Sequence, residues 1–174
     1  MITKHASPFA KKVEPSCANA YYLAVVGETM VSRIRSWAFA MFEYHGWAIV
    51  RQDTYSTNEA SLNDIVEEVR QALGEFGDGS GVRDVRWING TCMVWFAGCP
   101  NHRNERVLLF FPWLAQRAPG SYGLLYVWDD ERRECENEFR VWRLLRGRVE
   151  ESVDLLLSPC IPTIEDAYDP DCKD

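Results

Sequence analysis

Cys92, Cys99 and His102 are the nearest approach to a metal constellation in this 174-residue chain. Cys99-x-x-His102 offers two ligands, but a structural zinc takes four donors at recognisable spacing, and no second C-x-x-C or H-x-x-x-H follows. The plainer expectation is that Cys92 is a strand residue and His102 a helix-start residue, with no metal or other cofactor. Gly120-Ser121-Tyr122-Gly123 has the outline of a nucleophile elbow. G-x-S-x-G would need glycine where Pro119 stands, and an elbow turns from strand into helix, whereas here the chain enters a strand. A tight helix-to-strand turn, stopped by Pro119 and Gly120, is expected instead. Glu43 and His45, two apart on a strand, share a face and could act as an acid/base pair; a hydrogen-bonded core histidine is the expectation for His45. Gly77–Gly81 lacks the Lys-Ser/Thr of a phosphate-cradling P-loop. None of these patterns compels catalysis.

The acidic run Asp129-Asp130-Glu131, continued by Glu134, Glu136 and Glu138, has two readings. It is a solvated hairpin loop partly neutralised by Arg132 and Arg133, or it is a docking surface for a basic partner with Trp128 and Trp142 as apolar anchors beneath it.

The elements that must position these residues are legible from Met41 onward. Phe42–Arg51 places Tyr44, Gly46, Ala48 and Val50 on one face and His45, Trp47 and Ile49 on the other, as a strand buried on both sides would. Leu62, Ile65, Val66, Val69, Leu73 and Phe76 recur at helical spacing, with Asp64, Glu67, Glu68 and Arg70 outside; Ser61 with Asp64 resembles a capping box, and Gly77 supplies the stop. Val82–Ile88 and Thr91–Ala97 flank Asn89-Gly90, a strong hairpin signal. Asn101 to Arg117 reads as a second helix, although Pro112 falls inside it and Arg106–Phe111 could instead be a strand. Ser121–Trp128 alternates, with Tyr122, Leu124, Tyr126 and Trp128 on one face. Glu138–Leu145 and Arg148–Leu156 pair through Gly147, and the tail from Ser158, with Pro159, Pro162 and Pro170, is irregular. The expectation is one α+β domain: β-α-β-β-α-β, the split βαβ order of ferredoxin-like sheets, then a β-hairpin, in a mostly antiparallel sheet.

Hydrophobic residues at 47% and charged residues at 26% fit an ordinary globular domain. Nineteen Lys and Arg stand against 26 Asp and Glu, for −7. Residues 1–40 hold five of the bases and two of the acids, so residues 41–174 carry 14 bases and 24 acids, for −10. A body this acidic repels phosphate backbones and suits a basic protein, not nucleic acid. The six cysteines have no C-x-x-C spacing and are expected reduced. The nine-residue apolar run Ala18–Val26 is far short of a membrane span, and Glu14 and Gly27-Glu28 spoil its likeness to a signal peptide. A cytoplasmic protein with no membrane partner is expected. Residues 1–40 differ in composition from the rest, and Met30 and Met41 are alternative in-frame starts, so this stretch is expected to be a loosely attached extension or an over-long gene model. Residues 167–174 form an acidic tail.

Several words then point to a family. Met41-Phe-Glu-Tyr-His-Gly-Trp-Ala-Ile-Val-Arg51 resembles its opening strand and Asn101-His102 a second block. Ala118-Pro-Gly-Ser-Tyr-Gly-Leu-Leu-Tyr126, followed by Asp129-Asp130-Glu131, resembles its hallmark. Asn137, Phe139, Val141-Trp142, Arg146-Gly147 and Leu157-Ser-Pro-Cys-Ile-Pro-Thr-Ile-Glu-Asp166 complete the pattern. Residues 41–166 are thus similar to the immunity protein 7 family of bacterial polymorphic-toxin and contact-dependent growth-inhibition systems. The resemblance implies a small, non-enzymatic, cytoplasmic inhibitor that binds the C-terminal toxin domain of a cognate effector. Such toxins are often nucleases with basic surfaces, which the acidic body would cap. Asp129, Asp130, Glu131, Glu134, Glu136, Trp128 and Trp142 are the expected toxin contacts, inferred from charge rather than from the family. The rivals are a metal-assisted enzyme using Cys99 and His102, with His45 as a third candidate, and a general protein-interaction module.

Overall fold

Period-two alternation and two glycine-bearing turns settle most of the architecture. In the computed structural model, which describes residues 41–55, 58–77 and 81–165, six strands and two helices follow one another as β1 Phe42–Val50, α1 Glu59–Gly74, β2 Val82–Ile88, β3 Thr91–Gly98, α2 Glu105–Arg117, β4 Tyr122–Asp129, β5 Arg140–Leu145 and β6 Arg148–Val153. The expected extension over 1–40, the acidic tail over 167–174 and residues 78–80 of the Gly77–Gly81 connector lie outside the described residues.

The sheet order is β2-β3-β1-β4-β5-β6, with every neighbouring pair antiparallel. β1 and β2 both run opposite to β3, which lies between them, so they are parallel to each other: this is the split βαβ unit. The β5–β6 hairpin extends the sheet beyond β4. Both tight hairpins use paired positive-φ residues, Asn89 (49°) with Gly90 (74°) and Arg146 (49°) with Gly147 (69°), a twist that suits antiparallel strands.

Both helices bury their apolar stripe against one face of the sheet. Leu62, Ile65, Val66, Val69 and Leu73 of α1 and Val107, Leu108, Phe110, Phe111 and Leu114 of α2 join one buried cluster with Phe42, Tyr44, Ala48, Val50, Val94, Phe96, Leu125 and Leu144. Phe96 is its aromatic hub, with ring centroids 5.2 Å from Phe110 and 5.6 Å from Phe76. Arg117 clamps the helices together through Nε and Nη2 on the two oxygens of Glu68, at 2.6 and 2.7 Å.

Four local expectations change. Alternate residues of β1 are buried, but on the other face His45 and Trp47 are exposed and Ile49 is buried, so this strand is covered on both sides only toward its end, and His45 is no core histidine. The cap of α1 is Asn58, whose side chain accepts from the backbone N–H groups of Ala60 and Ser61; Ser61 lies inside the helix. The second helix begins at Glu105 behind an Asn104 cap, not at Asn101, and it runs through Pro112. A strand over Arg106–Phe111 does not form, because α2 needs its 3.6-residue stripe to fill the layer above the sheet. Finally, β6 stops at Val153, since the next residue, Asp154, is buried and turns the chain.

Candidate protein interface

The turn between α2 and β4 explains why the Pro119-Gly120-Ser121-Tyr122-Gly123 word has the composition it has. Ser121 is fully buried; its Oγ accepts from the Arg51 N–H at 3.0 Å and donates to the Arg51 carbonyl at 3.3 Å. A Cβ on Gly120 would lie 2.2 Å from the Asp53 carbonyl oxygen, and one on Gly123 would lie 2.1 Å from that of Trp47. The segment is a device for seating β4 against β1, and its serine is closed inside hydrogen bonds rather than presented as a nucleophile.

The Cys92, Cys99 and His102 trio does not assemble. Cys92 is buried on the helix side of β3, Cys99 is exposed just past that strand, and His102 Nδ1 pairs with Glu131 Oε1 at 3.0 Å. Among the described residues no three His, Cys, Asp or Glu side chains gather as metal ligands. Glu43 and His45 do meet, Oε1 to Nε2 at 2.6 Å, but on the helix-free face of the sheet, with His45 exposed. A cavity of about 220 Å³ lies at the other end of β1, lined by Val50, Arg51, Leu62, Gly90, Thr91 and Cys92, and its residues hold no acid/base pair.

The acidic segment joins β4 to β5 through a short 3₁₀ turn, Arg133–Cys135. Its members fall into two groups. Asp129, 4% exposed, points inward and receives Arg103 Nη1 at 2.9 Å and the Glu131 N–H at 3.2 Å. Burial pushes its carboxyl above the usual range, against the opposing pull of Arg103. Glu131 and Glu134 point outward and are exposed, and Asp130 and Glu136 are half-buried. Asp130 Oδ1 is buried with no hydrogen-bond partner. Arg132 bridges Glu134 and Glu151, and Arg140 bridges Glu138 and Glu151, so Glu151 of β6 ties the loop to the sheet.

The two tryptophans are not brought together. Trp128 stands on the helix-free face opposite Glu43 and donates its indole N–H to the Glu136 carbonyl at 2.8 Å. Trp142 pairs with Leu125 and packs against the core on the helix side. Trp128 instead continues a partly exposed aromatic face with Tyr126, Tyr122, Trp47 and Trp95; Trp47 and Tyr122 meet edge to face at 6.2 Å. Alternation already indicates the place of Asp129: if Trp128 faces one side, the next residue faces the other. The side of Trp142 depends on register, which alternation alone does not supply.

A profile described as Immunity protein 7 matches residues 41–166, the stretch that holds the eight helices and strands of the described residues. The chain belongs to that family. No curated protein and no solved structure matches it. For an Immunity protein 7 member, the implied role is protection against a toxin, and the implied partner is that toxin. No helix among the described residues is long and apolar enough to cross a membrane.

Proposed function

We propose that this chain is a cytoplasmic, non-enzymatic immunity protein that binds the C-terminal toxin domain of a cognate polymorphic or contact-dependent effector and blocks it. The single observation behind this reading is the family match over residues 41–166. The charge of the chain supports a basic toxin: residues 41–174 carry 14 bases and 24 acids, so a basic, nuclease-like surface would be drawn to them. Trp128, Asp130, Glu131, Glu134 and Glu136 are the contacts on this reading. Asp129 and Trp142 act from inside, as the pin of the loop and as core packing. An unsatisfied buried acceptor such as Asp130 Oδ1 calls for a donor, and a basic partner would supply one.

Titration calorimetry of the full chain and of residues 41–174 against the toxin domain encoded beside the gene tests this. The expected result is one-to-one binding at nanomolar Kd or tighter, with toxin activity abolished at equivalence. Glu131→Lys with Glu134→Lys changes side chains that are 42% and 58% exposed, so binding should weaken about tenfold or more while Tm stays within a few degrees. No binding by either length of chain would remove the cognate-toxin reading.

A further inference from the structure

The chain leaves β6 into a turn that holds three consecutive leucines in solvent. Leu155, Leu156 and Leu157 are 77%, 71% and 53% exposed. Single exposed leucines are ordinary on a protein surface, but a contiguous run of three is not, unless something covers it.

The run is held at both ends. Asp154, 6% exposed, donates its N–H to the Phe139 carbonyl at 2.9 Å, and its Oδ2 accepts from the Leu157 N–H at 3.0 Å. Beyond the leucines, the Ser158 N–H donates to Glu165, and Ser158 Oγ accepts from the N–H groups of Thr163 and Ile164. Asn137 fastens this segment to the acidic loop: its Oδ1 accepts from the Cys160 and Ile161 N–H groups, and its Nδ2 donates to the Ile161 carbonyl at 3.0 Å. A backbone already held in position loses little conformational freedom on binding, which favours its side chains as anchors.

The same fastening ties both ends of the leucine turn to the end of the acidic segment, Asp154 to Phe139 and Cys160 and Ile161 to Asn137. We propose that Leu155, Leu156 and Leu157 are the apolar anchors of the toxin-binding surface, entering an apolar socket whose rim carries basic groups for Asp130, Glu131, Glu134 and Glu136. The proposal rests on the immunity reading above and names the part of the surface that supplies its apolar contact, a role first expected of Trp128 and Trp142. Apolar centre with charged rim is the usual anatomy of a protein interface. A second copy docking through the same leucines would carry its own acidic loop toward this one, so a basic partner fits the surroundings better.

The test compares the full chain with its Leu155→Ser/Leu156→Ser variant against the adjacent toxin domain, by calorimetry and by dissociation kinetics. Burial of two leucines predicts that Kd rises at least about tenfold, mostly through faster dissociation, with Tm unchanged because both side chains are exposed when free. Hydrogen exchange on the wild-type complex adds a readout independent of any variant: the amides of Leu155 and Leu156 should gain protection. Wild-type binding that the variant matches, with no added protection, overturns the anchor proposal and leaves the immunity reading standing. Failure of the wild-type chain to bind removes both together. A concentration-dependent dimer of the free chain, lost in the variant, would assign the leucines to self-association and overturn the proposal too.

Discussion

Asp129 illustrates how one acidic residue differs from the next in the same run. Its carboxyl is 4% exposed, with Arg103 Nη1 at 2.9 Å, while its neighbours Asp130 and Glu131 are progressively more open. Burial raises its pKa more than Arg103 and the Glu131 N–H lower it. A carboxyl raised by folding binds its proton more tightly in the folded chain than in the unfolded one. Its stabilising contribution is therefore complete below the unfolded value of about 3.9 and is lost as pH rises through the higher folded value. Asp129→Asn has no proton to lose. The difference in Tm, variant minus wild type, should grow more positive as pH climbs through the carboxylate range, measured by thermal unfolding from pH 3 to 7. A difference that instead moves toward the wild type would mean that the Arg103 ion pair outweighs desolvation. The run from Asp129 to Glu138 interleaves six acids with two bases, and nothing in composition separates a loop pin from a contact. Alternation along β4 does so for Asp129, whereas Leu155 and Leu156 were hidden within an over-extended strand, because apolar residues at a strand end look the same whether they are buried or bare.

At the scale of elements, the most legible features were those that a backbone requirement enforces. Asn89-Gly90 marks its hairpin because both positions take positive φ. The α1 stripe marks its helix because every third or fourth residue must be buried. Capping was less legible: Asn58 and Ser61 are both good cap types three residues apart, and only geometry chooses between them. The strand β1 was legible as a strand but its open stretch was not, since Trp47 and Ile49 are both apolar on one face and only Ile49 is buried there. The glycines of the β1–β4 seam give a direct test. A Cβ at 123 would sit 2.1 Å from the Trp47 carbonyl oxygen and 2.8 Å from Ala48 Cα, both backbone atoms, so β1 and β4 would have to part. Gly123→Ala should lower stability by at least about 1–3 kcal/mol, the usual cost of overpacking. Gly74→Ala makes the same chemical change at the end of α1 with nothing within 4 Å, and there the lost glycine entropy should stabilise by up to about 1 kcal/mol. Urea unfolding of the two variants should move the midpoints in opposite directions. Equal shifts would mean that the seam yields and that Gly123 is not what sets the strand spacing.

The whole molecule presents its charge unevenly, and that bears on how fast it finds a partner rather than on how tightly it holds one. Residues 41–174 carry 14 bases and 24 acids. Much of the basic complement is already engaged: Arg103 with Asp129, Arg106 with Glu75, Arg117 with Glu68, and Arg132 and Arg140 with Glu151. The excess of acid remains as a long-range field, and the Debye length limits its reach to about 10 Å at 0.1 M salt. For a basic toxin the association rate should therefore approach roughly 10⁸ M⁻¹s⁻¹ at low salt and fall by an order of magnitude or more by 0.5 M. Dissociation, governed by the buried leucine contact, should change far less over the same range. Stopped-flow measurements at several salt concentrations separate the two. The Glu131→Lys/Glu134→Lys variant should flatten the association curve, and the Leu155→Ser/Leu156→Ser variant should keep its slope while dissociating faster. An association rate indifferent to salt would show that the acidic field does not steer the encounter, and recognition would then rest on the apolar turn alone.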